Sequence, residues 1–320
     1  MLSQNDAPAA ARPSDAPRPG AARALRDALE ARARRIEAPG GVPGAVWRDW
    51  AAPEGATGRP LLMLHGGSGS WTHWIANIDA LNQTRRVIAI DLPGAGESPD
   101  LAQPQTVAEI AWILRKGMAA LVPPDGPEHG AADGAADGAA DGAYDMVAFS
   151  FGTSSAAALA MAEPADRIGR LVLVGPARFG SGTSIRDRLE SWRRADGPDA
   201  RLAAHRTNLA ALMLRDAALI DDGLVEMQAA NAEAFRLRIR AMEDLLGADE
   251  TLAPGRGRTR LGGIWGEHDA IAAPMDENRA IMAALDPCAP VLMIPDVGHW
   301  VMFEAAGRFN RALAEMLDAD

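Results

Sequence analysis

A serine set between a buried apolar run and an alanine-rich stretch is the residue of this chain best suited to nucleophilic chemistry. The segment Asp145-Met-Val-Ala-Phe-Ser150-Phe-Gly-Thr-Ser reads as a strand that runs into Ser150 and then into a helix. A serine on so sharp a turn has a strained backbone and an exposed hydroxyl, and small neighbours let strand and helix approach. Ala148 and Gly152 are those neighbours. The usual pattern has glycine where Ala148 stands, a difference of one methyl group. Taken alone, the motif leaves two roles open for Ser150: a nucleophile, or a turn serine that caps the following helix. Upstream, Leu61-Leu-Met-Leu-His65-Gly66-Gly67-Ser68-Gly69-Ser70-Trp71 reads as a strand followed by a glycine-rich turn. Glycines there let backbone N–H groups reach a developing oxyanion without side-chain obstruction. Gly67 and Phe151 are the candidate amide donors. His65, at a strand end before two glycines, reads as structural.

A third segment, Arg86-Val-Ile-Ala-Ile-Asp91-Leu-Pro-Gly94-Ala-Gly96-Glu-Ser98, is another strand and Gly/Pro turn. In content and order the three segments resemble the α/β-hydrolase family, and the resemblance extends from about residue 46 to the C-terminus. It implies that Asp91 and Ser98 form a turn and carry no chemistry. It also implies a triad in the chain order serine, acid, histidine. Gly263-Ile-Trp-Gly266-Glu267-His268-Asp269-Ala-Ile-Ala-Ala-Pro274 resembles the family's acid loop and puts Asp269 at the acid position. Glu267 is the nearest rival, and His268 reads as a loop residue. Val291-Leu-Met-Ile-Pro-Asp296-Val-Gly298-His299-Trp300 resembles the histidine loop. Alone, His299 is as readily a loop histidine. Three strand ends in the family's order make it the base: it takes the proton of Ser150 and returns it to the leaving group, while Asp269 fixes its tautomer. These roles imply neither metal nor cofactor.

The chemistry implied is that of a serine hydrolase, with carboxylic-ester hydrolysis as its commonest form. Hydrolysis of a carbon–carbon bond in a ring-cleavage product is the alternative. Gly298-His299-Trp300 followed by Glu304 and Phe309-Asn310 resembles those hydrolases, whereas Phe149 stands where that subfamily is expected to have asparagine. A non-catalytic ligand-binding member of the fold is the reading from another class. A serine in the elbow disfavours epoxide hydrolase and haloalkane dehalogenase chemistry, which uses a carboxylate there. Trp300, Arg178 and Arg206 are candidate substrate-binding residues; Arg178, Arg206, Arg236 and Arg240 are the cations that a substrate carboxylate would meet. For each arginine the plain alternative is a solvated helix face.

The elements that must position these groups follow from apolar periodicity. Residues 61–64, 87–90, 146–149, 171–174, 261–265 and 291–294 are apolar runs without polar alternation, as expected of strands covered on both faces. Helical stretches near 74–82, 106–121, 151–163, 276–285 and 303–318 alternate with them, which predicts an α/β fold with a mostly parallel sheet. The alternation breaks between Ser181 and Leu252, where only helical stretches such as 202–214 and 224–246 are legible. This predicts a core over 21–177 and 256–320 and a helical cap over 178–255. Residues 1–20, rich in Ala and Pro, are expected to be a flexible arm, and 21–37 a short amphipathic helix. The Ala-Ala-Asp-Gly repeats of 123–142 are expected to form a surface loop.

Bulk properties narrow the partners. A formal net charge of -11 repels polyanions, so a small-molecule substrate is expected rather than nucleic acid or an anionic membrane. Cys288 is the only cysteine, which excludes an internal disulfide and suits a reducing cytoplasm. No apolar run reaches the roughly 18–20 residues needed to span a bilayer. A homodimer is compatible with all of this.

Overall fold

The computed structural model describes residues 16–319 except 102, 104, 125–141, 183 and 184. The expected arm lies outside the described residues up to residue 15, as does 125–141 of the expected repeat loop. Eight strands form one sheet: β1 (Arg34–Glu37), β2 (Val46–Trp50), β3 (Gly58–Leu64), β4 (Arg85–Asp91), β5 (Tyr144–Phe149), β6 (Ile168–Val174), β7 (Arg260–Gly266) and β8 (Val291–Ile294). Their order is β1-β2-β4-β3-β5-β6-β7-β8. The two β2 pairings are antiparallel, and the pairings from β4 through β8 are parallel.

Alternate residues of the parallel strands face opposite layers. Leu62, Leu64, Met146 and Leu171 join a core with helices Val107–Leu121, Gly152–Ala162 and Met275–Leu285. Leu61, Met63, Val147 and Val172 join a second core with helices Ala21–Glu30 and Ala306–Asp318. Covering both faces is what removes polar alternation from these strands. Strand order reverses at β3 and β5, because β4 lies to one side of β3 and β5 to the other. The loops after β3 and β5 therefore diverge from neighbouring strand ends, and such a switch point leaves a crevice at the carboxyl edge of the sheet.

The first two strands correct the expectation of a helix over 21–37. The helix ends at Glu30, and Arg34–Glu37 pairs with β2 instead. Trp47-Arg48-Asp49-Trp50 is buried despite its charges because the charges are paired. Arg86 reaches both Asp49 carboxylate oxygens at 2.8 and 2.9 Å. Arg48 lies 2.6 Å from Glu30 and 3.2 Å from Asp91.

Helix Val107–Leu121 crosses Trp47 at Gly117, where a Cβ would lie 2.3 Å from Trp47 Cζ2. The ring is fully buried and has nowhere to move. Overpacking costs about 1–3 kcal/mol and outweighs the roughly 1 kcal/mol that alanine gains in a helix. Gly117→Ala is therefore expected to lower Tm; an unchanged or higher Tm in thermal unfolding would contradict this packing.

Between β6 and β7 the described residues contain helices and turns but no strand. The stretch expected at 202–214 is an α-helix over Gly197–Asn208 continued by a π-turn over Leu209–Met213. The stretch expected at 224–246 ends at Glu233. Beyond it, tertiary hydrogen bonds replace helical ones. Arg236 N–H donates to Gly94 O and Arg238 N–H to Gln105 Oε1, both at 2.7 Å. No described helix is long and apolar enough to cross a membrane.

Candidate active site

Ser150 leaves β5 with φ at 50°, a left-handed backbone that costs a non-glycine residue about 1–3 kcal/mol and persists only where its surroundings over-determine it. They do so here. Ser150 N–H donates to Val174 O at 2.9 Å, while Ser150 O accepts from Thr153 N–H at 3.0 Å. A Cβ on Gly152 would lie 2.5 Å from His65 O, and one on Gly66 would lie 3.1 Å from Ser150 Cβ. Both glycines are thus required for the loop after β3 to pass beside the serine turn. Gly67 lies next to Phe151, whose Cβ would be 3.8 Å from a Cβ on Gly67. Among the described residues no protein acceptor engages the N–H of Gly67 or of Phe151. Both candidate donors are available to a ligand oxygen.

His65 is a brace. Its Nδ1 lies 2.7 Å from Gly66 O, and its Nε2 accepts the Leu92 N–H at 3.0 Å, which specifies a neutral ring protonated at Nδ1. Burial lowers its pKa and favours that neutral form. Asp91 also ties loops together, accepting from Trp71 N–H at 2.9 Å and Glu97 N–H at 3.1 Å. Ser98 Oγ accepts the Val46 N–H at 2.8 Å and donates to Asp91 O.

Asp269 and His299, 30 positions apart in the chain, meet at 2.8 Å between Oδ2 and Nδ1. Their side chains are 1% and 2% exposed, respectively. The other carboxylate oxygen of Asp269 accepts the Ile271 N–H at 3.0 Å, which fixes the plane of the group. A carboxylate facing Nδ1 puts the ring proton there and leaves the lone pair on Nε2. Glu267, the rival acid, is turned outward and accepts from Asp296 N–H at 3.0 Å. The described contacts include no hydrogen bond from Ser150 Oγ to His299; the ring of Phe149 lies against the imidazole, with centroids 4.7 Å apart.

Three residues to which the sequence alone gives no role in the site hold this arrangement. Gly175 has φ at 44°, and a Cβ there would lie 2.7 Å from Asp269 Oδ2 and 3.0 Å from His299 Nδ1. Gly175→Ala is therefore expected to spread the pair, and a displacement near 1 Å costs about 100-fold in rate. Hydrolysis measured alongside Tm tests this, since an unchanged kcat would show that the pair tolerates a methyl group. Glu304, a buried carboxylate, accepts Gly298 N–H and Asp216 N–H, each at 2.6 Å, and Arg215 N–H at 3.2 Å. It ties the histidine loop to the helical segment above. His73 accepts the Gly66 N–H at 3.3 Å and packs under Gly69. Burial, with His65 adding repulsion, lowers its pKa to about 3, so it supports the glycine loop as a neutral ring. Neither Gly175 nor His73 stands in a motif that marks it, and Glu304 is marked only by the C-terminal segment that resembles the carbon–carbon hydrolases.

The proposed substrate contacts fare differently. Trp300 is fully buried, donates its indole N–H to His73 O at 3.0 Å and stacks on Phe303. Its side chain is committed to the interior rather than to a cleft. Arg206 is bound to Ile220 O and Asp222 on the helical segment, and Arg236 to Asp100 and Ser98 O. Arg178 is exposed on the connection after β6 with φ at 55°. Of the four arginines, Arg240 alone lines a cleft that reaches Ser68, about 340 Å³ in volume and shared with Trp192, Arg193 and Phe235. A smaller cavity of about 120 Å³ adjoins Gly67 and is walled by Leu189, Trp192, Leu209, Leu212 and Met213. Glu267, His268 and Asp296 are exposed and place one potential metal ligand each within 4.8 Å of one another. Exposed groups so arranged are common without an ion.

The Alpha/beta hydrolase family profile matches residues 61–312. Over 276 residues the chain is 27% identical to the 2-hydroxy-6-oxononadienedioate/2-hydroxy-6-oxononatrienedioate hydrolase of Paraburkholderia phymatum, a match that covers 82% of this chain and 88% of that protein. It is similar to the crystal structure of carboxylesterase CesB from Bacillus subtilis, with a TM-score of 0.66 at 18% identity over 93% of this chain and 99% of the other. It is equally similar to a meta-cleavage product hydrolase from Pseudomonas fluorescens, with a TM-score of 0.66 at 21% identity over 89% and 97% of the two chains. At those identities the structural likeness is one of fold.

Proposed function

The chain belongs to the α/β-hydrolase family, and from that premise we propose that it is a serine hydrolase that cleaves a small carboxylic ester through an acyl-enzyme on Ser150. The buried 2.8 Å contact between Asp269 and His299, beside the strained turn of Ser150, is the observation that carries this reading. Ser150 Oγ turns to His299 Nε2, gives up its proton and attacks the ester carbonyl. The oxyanion is held by the N–H groups of Gly67 and Phe151, donors aimed where charge develops. His299 then protonates the leaving alcohol, and the same base activates the water that releases the acid. Asp269 stabilises the imidazolium in both halves.

The cavity of about 120 Å³ beside Gly67 has the volume of about four water molecules, so it suits a short acyl chain. A panel of p-nitrophenyl esters of graded length tests both the activity and the pocket. Acetate and butyrate are expected to turn over at least about tenfold faster than octanoate, a discrimination ordinary for a few excess methylenes in an apolar pocket. Equal rates along the series would remove this cavity from the acyl site.

The second reading is hydrolysis of a carbon–carbon bond in a vinylogous diketone acid. It is favoured by the Paraburkholderia phymatum relative, a hydrolase of such diacids by name, and by Arg193 and Arg240 in the adjoining cleft, where they are suited to a carboxylate. Diketone cleavage without ester turnover selects this reading. Failure of a fluorophosphonate to label Ser150 would point to a scaffold that only binds its ligand.

A further inference from the structure

At the opposite end of the sheet from Ser150, arginines gather where the strands begin. Arg59 stands near the start of β3, Arg85 opens β4, Arg170 is the third residue of β6, Arg258 lies just before β7 and Arg260 opens it. With the last turn of helix Ala306–Asp318 they line an open cleft of about 1040 Å³. We propose that this cleft binds a soluble small molecule carrying two or more phosphate groups, at a site separate from the catalytic edge.

Charge is the first argument. The chain carries -11 overall, yet five guanidinium groups line this cleft against the carboxylates of Asp145 and Asp318 alone among its described lining residues. The second argument is burial, which is costly for a guanidinium unless its donors are satisfied. Arg85 is 1% exposed, with Nη1 3.5 Å from Asp145 and Nη2 on the exposed Asp318. Its Nε, like the Nε of Arg258, is buried without a partner. Arg170 is also buried and is steadied by Ala319 O at 3.3 Å. The third argument is that the backbone makes room for these groups. A Cβ on Gly58 would lie 3.0 Å from Arg85 Cζ, and one on Gly169 would lie 2.6 Å from both Arg59 Nη1 and Asp145 Oδ1.

The lining chemistry narrows the ligand. Guanidinium forks match phosphate oxygens in pairs, so several converging forks suit several phosphates. No aromatic side chain lines the cleft, which leaves a nucleobase nothing to stack on. The exposed large apolar residues of the described chain are Trp112 and Leu246, and neither lines this cleft. With no apolar rim to seat in a bilayer, the occupant is a free anion rather than a lipid headgroup.

Titration of the full chain with sodium pyrophosphate at constant ionic strength, followed by calorimetry, tests the site. Saturable binding is expected, tighter than that of orthophosphate. Arg59→Gln and Arg260→Gln each remove an exposed cation at the mouth of the cleft while leaving Arg85 in place. Each is expected to weaken pyrophosphate about tenfold, the worth of one charge-assisted hydrogen bond. The double variant should keep the wild-type Tm and ester turnover. Absence of saturable binding by the wild type, or wild-type affinity in the double variant, overturns the proposal. So does binding to phosphatidate vesicles with none to pyrophosphate.

Discussion

If Ser150 is the nucleophile proposed, Ser150→Ala is expected to lower ester turnover by about a million-fold, because the acyl-enzyme route is lost and only the proposed oxyanion donors and binding remain, which still give about 10³- to 10⁴-fold over water. The residue makes few other contributions that could confuse the result. Its backbone hydrogen bonds to Val174 and from Thr153 survive the substitution, and alanine meets the same strain at φ 50° as serine. Tm should therefore change little while kcat collapses and fluorophosphonate labelling disappears. The measurement is kcat on p-nitrophenyl butyrate with active-site titration of the wild type. Turnover within tenfold of the wild type would remove Ser150 from the chemistry and return it to the role of a turn serine.

Asp269→Asn is expected to cost about 10⁴-fold in kcat, the scale seen when the acid of a triad is neutralised with its geometry retained. The reason is the tautomer. Asp269 Oδ1 accepts from Ile271 N–H while Oδ2 faces His299 Nδ1. An asparagine that keeps its oxygen on Ile271 must present an NH₂ to Nδ1. The ring proton then moves to Nε2, and the base has no lone pair for Ser150. KM should stay within a few fold because the side chain is buried behind the imidazole. A loss below tenfold would mean that another carboxylate orients the ring. Glu267 is the obvious substitute, and its outward direction argues against it.

The helical segment between β6 and β7 shows where periodicity misleads. Leu224 to Leu246 reads as one helix because apolar residues continue at helical spacing, but the helix ends at Glu233. The chain then crosses the loop after β4, where Gly94 O and Gln105 Oε1 take the N–H groups of Arg236 and Arg238. A helix end set by partners more than 130 positions away leaves no local signature. Trp300 misleads in the other direction. Its place beside His299 suggested a substrate contact, while its burial against His73 and Phe303 makes it part of the floor that supports the loop. The partners of Trp47-Arg48-Asp49-Trp50 are nearer in the chain, 18 to 43 positions away, yet still outside any local window. The two adjacent charges of this segment are buried only because Glu30, Arg86 and Asp91 are brought to them.

The residues alone determined the parallel strands, their helices, the serine turn, the glycine loop and the loops that hold Asp269 and His299. Each of these depends on local chemistry: apolar runs covered on two faces, glycine where backbone must pass closely, and a small residue on either side of a sharp turn. Only the tertiary structure decided what the loops share. It set Asp269 against His299 and made Gly175 the space between them. It tied Gly298 to the segment between β6 and β7 through Glu304 and spent Arg206 and Arg236 on their neighbours. It also gathered five arginines at the far edge of the sheet, because strands that begin far apart in the chain begin side by side in space, and no window of sequence records that proximity.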